Sequence, residues 1–236
     1  MIRERLGLVS ERIDRAASRA GRRAEEILLI GVSKTMPALL VAEAVEAGLS
    51  HLGENRVQEA ELKIPEVARL LSAGFLPPTW HLIGHLQSNK ARKAAGLFPV
   101  IHSVDSEDCA EALGRHAQAV FAGDETRCLD ILIQVDLGHE QTKHGADEAE
   151  LARLADRAAA IPGLRLRGLM TIPPPFTEAE ASRPFFARLR ELRETLAARG
   201  HRLSDLSMGM TGDFEVAIEE GATMIRVGRA IFGDRA

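Results

Sequence analysis

Apolar residues along the chain recur in eight short runs, and segments with helical spacing of their apolar positions separate these runs. Strand-like and helix-like sequence therefore alternate, which is typical of parallel strands joined by crossover helices. Because the runs are apolar at nearly every position, they favour a sheet that is buried on both faces. The runs are ILLIGVS (27–33), LSHLGE (49–54), WHLIGHL (80–86), VIHSVD (100–105), LDILIQVDL (129–137), LRLRGLMTI (164–172), LSDLSMG (203–209) and ATMIRVGRAIF (222–232).

The segments between the runs predict helices that end at helix-stopping residues. Four of them end at a glycine, which tolerates the left-handed conformation just past a helix end, and one over 146–160 stops at Pro162. Residues 1–23 predict an additional amphipathic helix and not a signal peptide, because acidic side chains interrupt them and they lack an apolar core. The stopping glycines are Gly48, Gly74, Gly123 and Gly200, and the first helix carries Leu6, Val9, Ile13 and Ala17 on one side.

Eight strand–helix units predict one (β/α)8 barrel, of the TIM type, with an extra N-terminal helix. An open doubly wound sheet is the structural alternative. No long linker, low-complexity tract or internal repeat argues for a second domain in the 236 residues. We therefore expect one domain over residues 1–236.

The composition limits the classes of function. Hydrophobic residues make up 45% of the chain, charged residues 27%, and the net charge is -4, so there is no general attraction to nucleic acid or anionic membranes. No apolar run approaches the roughly 20 residues that span a bilayer. Cys109 and Cys128 show no metal or redox spacing, which is typical of a reducing compartment. We expect a cytoplasmic protein that binds neither nucleic acid nor membranes.

Lys34 is the most informative residue at a predicted strand end, where barrels of this kind build their active sites. Alternation places Lys34 on the same face as Ile30 and Val32, and if that face points inward the amine lies partly desolvated at the barrel mouth. Desolvation and nearby cations lower a lysine pKa and expose the free amine that forms a Schiff base with a carbonyl. An ion-paired lysine, or one that reaches solvent, is the alternative.

The position of Arg226 in the eighth run predicts that its side chain has an anion or a lone-pair partner inside the barrel. In the eighth run, Ile225 and Val227 would face the helices, so Arg226 would face the interior together with Gly228. An inward arginine needs a partner because a buried unpaired charge is costly. An internal salt bridge, for instance with Glu54 or Asp136, is the alternative.

The segment LSMGMTGDFEVAIEEG predicts a phosphate-binding turn. It runs from a strand through Gly209 and Gly212 into a helix, and such a turn presents free backbone N–H groups to an anion. The loops after strands seven and eight are the usual phosphate site of these barrels. A helix capped by Thr211 or Asp213 is the simpler alternative. Together with Lys34, the turn indicates a ligand that carries both a carbonyl and a phosphate.

The histidines do not predict a metal site. His81 and His85 are four residues apart, which on a strand separates them by about 13 Å, too far to share one ion. His139 and His144 flank a turn for which the sequence suggests no third ligand nearby. We therefore expect no metal.

Seven segments resemble the pyridoxal phosphate (PLP) homeostasis proteins, a family of PLP-binding proteins. The resemblance implies a barrel similar to the N-terminal domain of bacterial alanine racemase (fold type III), with PLP held as an internal aldimine on Lys34. The segments occur in family order and cover residues from about 27 to 233. They are LLIGVSKTMP, HLGENRVQEAELK, WHLIGHLQSNK, IHSVDS, ILIQVDLGHEQTKHG, LRGLMTIP and LSMGMTGDFEVAIEEGATMIRVGRAIFG.

The resemblance also implies roles for other residues. Arg226 matches an arginine beside the cofactor, near its pyridine nitrogen or its phosphate. Arg229 stands where many members have a small hydroxyl residue, so a phosphate contact at this position would come from the backbone N–H or the guanidinium. The remaining implied cofactor-binding positions are Asn55, which lines the pocket, and Ser207, Gly209 and Gly228, which bind phosphate.

A PLP–lysine site usually serves catalysis, because the pyridinium ring is an electron sink. An arginine at the ring nitrogen would disfavour its protonation, and the alanine racemase pattern needs a tyrosine base from a second domain, whereas the sequence contains no tyrosine. We therefore expect a monomeric, non-catalytic protein that buffers PLP or delivers it to apo PLP-dependent enzymes. The alternatives are a PLP-dependent amino-acid racemase with another base and a PLP-independent Schiff-base aldolase.

Overall fold

Eight parallel strands form a closed barrel in which each strand pairs with the next along the chain and the eighth pairs with the first. The computed structural model describes residues 1–122, 124, 127–138 and 144–233. The closure confirms the predicted (β/α)8 barrel and excludes the open doubly wound sheet. The strands are β1 (Leu28–Val32), β2 (His51–Glu54), β3 (Thr79–Leu82), β4 (Val100–Val104), β5 (Leu129–Gln134), β6 (Leu164–Met170), β7 (Asp205–Met210) and β8 (Met224–Val227).

One α-helix precedes β1, and a helix follows each strand within the described part of the chain. The first helix is the predicted N-terminal addition, and its apolar side is buried as expected. In the described ranges, no helix is long and apolar enough to cross a membrane. The helices are α1 (Ile2–Arg19), α2 (Ala38–Glu46), α3 (Val57–Leu70), α4 (Ala91–Leu97), α5 (Glu107–Val120), α6 (Glu148–Ala159), α7 (Arg183–Ala198), α8 (Phe214–Glu219) and α9 (Arg229–Phe232).

Six strands end earlier than the apolar runs predict, and the difference is largest for the third and the eighth. The eighth run spans 222–232, but its strand stops at Val227 and the remaining apolar residues form the short helix α9. The third run spans 80–86, but β3 stops at Leu82, so His85 lies in the loop that follows. Apolar character continues past the strands because the chain turns back onto the helical layer. The predicted helix stop at Gly123 lies outside the described residues.

The barrel has an apolar outer layer and a smaller apolar group inside it. Outward-facing residues of the strands pack against the helices in one large cluster. The inner group consists of Ile30, Leu132, Met170 and Met224, which come from β1, β5, β6 and β8. This division fits the two faces of a parallel barrel strand. The inner group leaves the part of the interior near β2, β3 and β4 to polar side chains.

Candidate cofactor-binding site

A cavity of about 580 Å³ opens at the carboxyl ends of the strands. This volume lies within the range of sites that bind small molecules. Its walls come from the ends of β1, β2 and β8 and from the loops after β6 and β7. Five of the predicted site residues line it, namely Lys34, Asn55, Arg226, Gly228 and Arg229.

Lys34 follows β1 and lies partly buried in the cavity wall. Ile30 lies four residues earlier on the same face of the strand and is fully buried in the inner apolar group. Val32 lines the cavity beside Lys34. The strand therefore presents the face that carries Lys34 to the barrel interior, as the alternation of β1 predicts. The role of the amine as a covalent anchor stays a prediction.

A buried ion pair fixes the residue before Lys34. Ser33 is fully buried, and its hydroxyl donates a hydrogen bond of 2.7 Å to Glu54 Oε1. Lys63 of α3 donates to the Ser33 carbonyl at 2.7 Å and to Glu54 Oε1 at 2.8 Å. Burial raises the pKa of the Glu54 carboxyl, and its contacts with Lys63 and Ser33 oppose that rise. Ser33 is therefore held through both its side chain and its backbone.

Lys63 also fixes Thr35, the residue after Lys34. Thr35 has a φ of 65°, a left-handed conformation that is strained for a β-branched residue. Its N–H donates to Glu59 Oε1 at 2.5 Å, and Lys63 donates to that oxygen at 2.7 Å. Burial would raise the pKa of Glu59, but the hydrogen bonds from Lys63 and Thr35 outweigh it and lower the pKa. We call Glu54, Glu59 and Lys63 the Lys63 network.

Sequence reasoning missed the Lys63 network. The only local signal is that Glu59 and Lys63 are four residues apart on a helix, a spacing that usually marks an exposed pair. Lys63 is only 7% exposed and Glu54 is fully buried. Their burial depends on how α3 packs on the end of β2, which residue spacing does not reveal.

The loops after β7 and β8 form the opposite wall. Gly209 adopts a φ of 91°, and a Cβ there would lie 2.6 Å from the Ala217 Cβ, so the turn requires glycine. Within the described part of the chain, the backbone N–H groups of Thr211 and Gly212 donate no hydrogen bond, and both residues line the cavity. Gly209 itself lies behind the wall. The wall therefore offers backbone donors to an anion.

Asp213 closes this turn without capping α8 by its side chain. Its Oδ1 accepts a hydrogen bond of 2.6 Å from the Met210 N–H, and its Oδ2 accepts one of 3.1 Å from the Ser182 hydroxyl. The helix has no side-chain cap hydrogen bond. The carboxylate is thus used to hold the turn, which differs from the simple capped helix that the sequence left open.

Arg226 lies at the floor of the cavity and is 3% exposed. Its Nη1 donates to Ser207 Oγ at 2.6 Å and its Nη2 donates to the Thr171 carbonyl at 2.9 Å. The inward orientation is as predicted, but the partners are a hydroxyl and a carbonyl and not Glu54 or Asp136. Burial lowers the pKa of Arg226 to about 10, so the guanidinium is charged at neutral pH.

Ser207 lies beneath Arg226 and not on the cavity surface. It is fully buried, and its Oγ also lies 2.8 Å from His102 Nδ1. Two further imidazoles continue from His102 across the barrel, with His102 Nε2 at 2.9 Å from His81 Nδ1 and His81 Nε2 at 2.9 Å from His51 Nδ1. We call His51, His81 and His102 the histidine chain. Phosphate binding through Ser207 and Gly209 stays a prediction.

Burial keeps the histidine chain neutral. It lowers the pKa of His81 to about 3, lowers the pKa of His102 well below its usual value, and lowers the pKa of His51. A neutral imidazole donates from one nitrogen and accepts at the other, so the three rings can form one continuous hydrogen-bonded line to Ser207. Sequence reasoning missed this line because each ring belongs to a different strand.

A second, smaller group of polar residues lies beside the cavity. His85, Asp105 and His144 follow β3, β4 and β5, and His85 Nδ1 lies 3.2 Å from Asp105 Oδ2. The rings of His85 and His144 are parallel, with centroids 3.5 Å apart. The expectation that His144 has no further ligand nearby is therefore wrong, because adjacent strand ends bring distant residues together. His139 lies outside the described residues.

The chain is similar to proteins of one family along nearly its whole length. The sequence profile of the alanine racemase N-terminal domain matches residues 6–236. The chain is 44% identical over 234 residues to the pyridoxal phosphate homeostasis protein of Pseudomonas aeruginosa, covering 99% of this chain and 96% of that protein. It is 42% identical over 233 residues to the protein of the same name from Aquifex aeolicus, covering 98% of this chain and 97% of that protein.

A solved structure extends the similarity to three dimensions. PipY of Synechococcus elongatus, determined with PLP bound, superimposes with a TM-score of 0.81 and is 40% identical. The match covers 99% of this chain and all of that one. The resemblance inferred from the seven sequence segments is thereby confirmed.

Proposed function

Because the chain belongs to the pyridoxal phosphate homeostasis protein family, we propose that it binds PLP in the cavity at the barrel mouth. The observation that carries the proposal is that the Lys34 amine and the free backbone N–H groups of Thr211 and Gly212, in the loop after β7, line one cavity. An amine suits an aldehyde, and free backbone N–H groups suit a phosphate. PipY, 40% identical, has PLP bound in its structure.

The residues present fit this cofactor. Lys34 would provide the covalent link to the aldehyde, and Asn55 would contact the ring from the side of β2. Thr211, Gly212 and Gly228 would face the phosphate. When bound, PLP supplies an electrophilic aldehyde and an electron-withdrawing ring.

Two arginines complete the proposed site. Arg226 would lie beside the cofactor, and its cationic guanidinium would disfavour protonation of a nearby ring nitrogen. Arg229 is exposed at the cavity edge, where its guanidinium or its backbone N–H would attract the phosphate. Ser207 and Gly209 would lie behind the loops that face the phosphate. Ser207 would hold Arg226 in place, and Gly209 would allow the turn after β7.

We propose that the protein buffers or delivers PLP, within vitamin B6 metabolism, and does not turn over substrates efficiently. The support is chemical, since a racemase of this fold uses a tyrosine base and the sequence contains no tyrosine. Delivery would require apo PLP-dependent enzymes as partners. We further propose that residues 1–236 form one PLP-binding domain and that the protein acts as a cytoplasmic monomer.

An absorbance titration with PLP tests the proposal. Wild-type protein should develop a band in the visible range that saturates at one PLP per chain, and Lys34→Ala should lose it. Lys93→Ala is the matched control, because Lys93 is an exposed lysine whose ion pair with Glu61 lies on the surface. Sustained racemisation of amino acids by the loaded protein would contradict the carrier role and favour the racemase.

A further inference from the structure

We propose that His85, Asp105 and His144 form a binding site for a divalent transition metal of the Zn²⁺ type, beside the PLP cavity. One ligand atom from each of these residues lies within 4.8 Å of the other two. Two imidazoles and one carboxylate are a common protein ligand set for such ions when a position stays open for water or another ligand.

The spacing of the ligand atoms suits one shared ion. Bonds of about 2.0–2.1 Å in a tetrahedral site separate neighbouring ligand atoms by roughly 3.3 Å. His85 Nδ1 and Asp105 Oδ2 are already 3.2 Å apart. The parallel rings of His85 and His144 need a side-chain rotation so that a nitrogen of each points to the ion. Because no two of the ligand atoms are more than 4.8 Å apart, closing the largest separation requires a movement of at most about 1.5 Å, which side-chain torsions can supply.

The backbones that carry the three ligands are well anchored. Asp105 directly follows β4, and His85 precedes the buried Leu86. The His144 carbonyl accepts a hydrogen bond of 2.5 Å from Gln134 Nε2 at the end of β5. Ala146, two residues further on, donates to the Gln134 carbonyl at 2.8 Å. His144 is therefore fixed to the barrel rim beside the other two ligands.

The surroundings leave room for an ion and its remaining ligands. His85 and His144 line a side cavity of about 200 Å³ together with Asp136. Asp105 reaches this group through its contact with His85 Nδ1. This side cavity shares Asn55, Ile83 and Ile172 with the PLP cavity. An ion here would lie next to the cofactor without using Lys34. Imidazole ligands favour Zn²⁺, Co²⁺ or Ni²⁺ over Mg²⁺ and Ca²⁺, which prefer oxygen.

A histidine–aspartate pair elsewhere in the chain provides the internal comparison. His201 Nε2 lies 2.8 Å from Asp156 Oδ1, and no third histidine, cysteine or carboxylate joins them among the described residues. A His–Asp contact therefore occurs in this protein without a complete ligand set. The third ligand and the side cavity distinguish the site at the barrel mouth.

Isothermal titration with ZnCl2 tests the proposal, using chelator-treated protein from which any affinity tag has been removed. We expect one ion per chain, bound both with and without PLP. His85→Ala, Asp105→Ala and His144→Ala should each weaken binding by about tenfold or more, and His201→Ala should not. Lys34→Ala should keep the metal site, so a failure of PLP binding would not be mistaken for a failure of metal binding.

Circular dichroism shows whether each variant is folded, and Asp105→Asn provides a conservative variant, so that loss of metal binding is not confused with unfolding. Asp105→Asn retains the size of the side chain and should bind Zn²⁺ more weakly while the protein remains folded. The absorption bands of Co²⁺ bound to the wild-type protein should disappear in the His85, Asp105 and His144 variants. Absence of Zn²⁺ binding by the wild-type protein, or binding that the three ligand variants leave unchanged, would overturn the proposal.

Discussion

Arg226 Nη1 donates a hydrogen bond of 2.6 Å to Ser207 Oγ beneath the floor of the cavity. Both side chains are buried, and Ser207 connects the guanidinium to the first ring of the histidine chain. The cation at the cavity floor is thus oriented by polar groups that reach across the barrel interior. Ser207, which the family resemblance assigns to phosphate binding, thus accepts a hydrogen bond from Arg226 beneath the cavity, and its contact with a phosphate stays a prediction.

Ser207→Ala should therefore reduce both stability and PLP affinity. The change removes the acceptor of a buried guanidinium hydrogen bond and the partner of His102, and an unsatisfied buried polar group costs about 1–3 kcal/mol. Urea denaturation measures the first effect and a PLP titration the second. Ser50→Ala, at an exposed position of the segment before β2, should change neither. Unaltered stability in Ser207→Ala would show that Arg226 finds another acceptor.

The histidine chain should make stability rise with pH between about 3 and 6.5. In the folded protein the pKa of His81 is lowered to about 3 by burial, whereas a histidine in the unfolded chain titrates near 6.5. Between these values the unfolded state binds more protons, so acidification favours unfolding. His81 alone contributes a slope of up to about 1.4 kcal/mol per pH unit.

Urea denaturation at several pH values between 5 and 7 measures this slope. His81→Gln should remove about one proton from the difference between the two states and make the slope shallower. His116→Gln, on α5 and outside the chain of rings, should leave it unchanged. A slope that does not differ between His81→Gln and the wild-type protein would mean that His81 is not held neutral.

Lys63→Met should be strongly destabilising and should weaken PLP binding. It leaves the buried Glu54 carboxylate without its cation, and breaking a buried ion pair in this way costs about 3–5 kcal/mol. Adding Glu54→Gln should restore part of the stability, because the uncompensated charge is removed. Lys93→Met breaks only an exposed pair and should cost no more than about 1 kcal/mol. Equal losses in the two single variants would contradict the network.

Gly209→Ala should distort the turn after β7, which we propose faces the phosphate of PLP. The residue has a left-handed φ, and the added Cβ would also meet Phe214 Cα at 2.9 Å and Ala217 Cβ at 2.6 Å. Strained backbone of this kind costs of order 1–3 kcal/mol. Gly212→Ala is the matched change, since a Cβ there meets no atom within 4 Å. Thermal unfolding should separate the two, and a loss of stability in Gly212→Ala alone would reverse the assignment.

The barrel and its key lysine follow from the sequence because both depend on short-range patterns. Alternation along β1 is local, so the inward position of Lys34 can be predicted from Ile30 and Val32. The Lys63 network and the histidine chain depend instead on side chains from separate elements that meet only when the barrel closes. When an apolar run contains a single polar residue, the sequence does not indicate which residue will be its hydrogen-bonding partner.

The group beside the cavity illustrates the same limit. The distance between His81 and His85 cannot be obtained from strand spacing because β3 ends at Leu82. His85 then lies in a loop, where it reaches Asp105 and His144. Loop conformations at a barrel rim are set by packing and by hydrogen bonds such as that from Gln134, and not by the period of apolar residues.

Reduction with borohydride followed by peptide mass mapping tests the central claim most directly. The protein is loaded with PLP, reduced and digested, and the mass of each lysine-containing peptide is measured. The account predicts one added pyridoxyl phosphate group, located on Lys34, with loss of the visible absorption band. Attachment to another lysine, or no attachment in protein that nevertheless binds PLP, would contradict it.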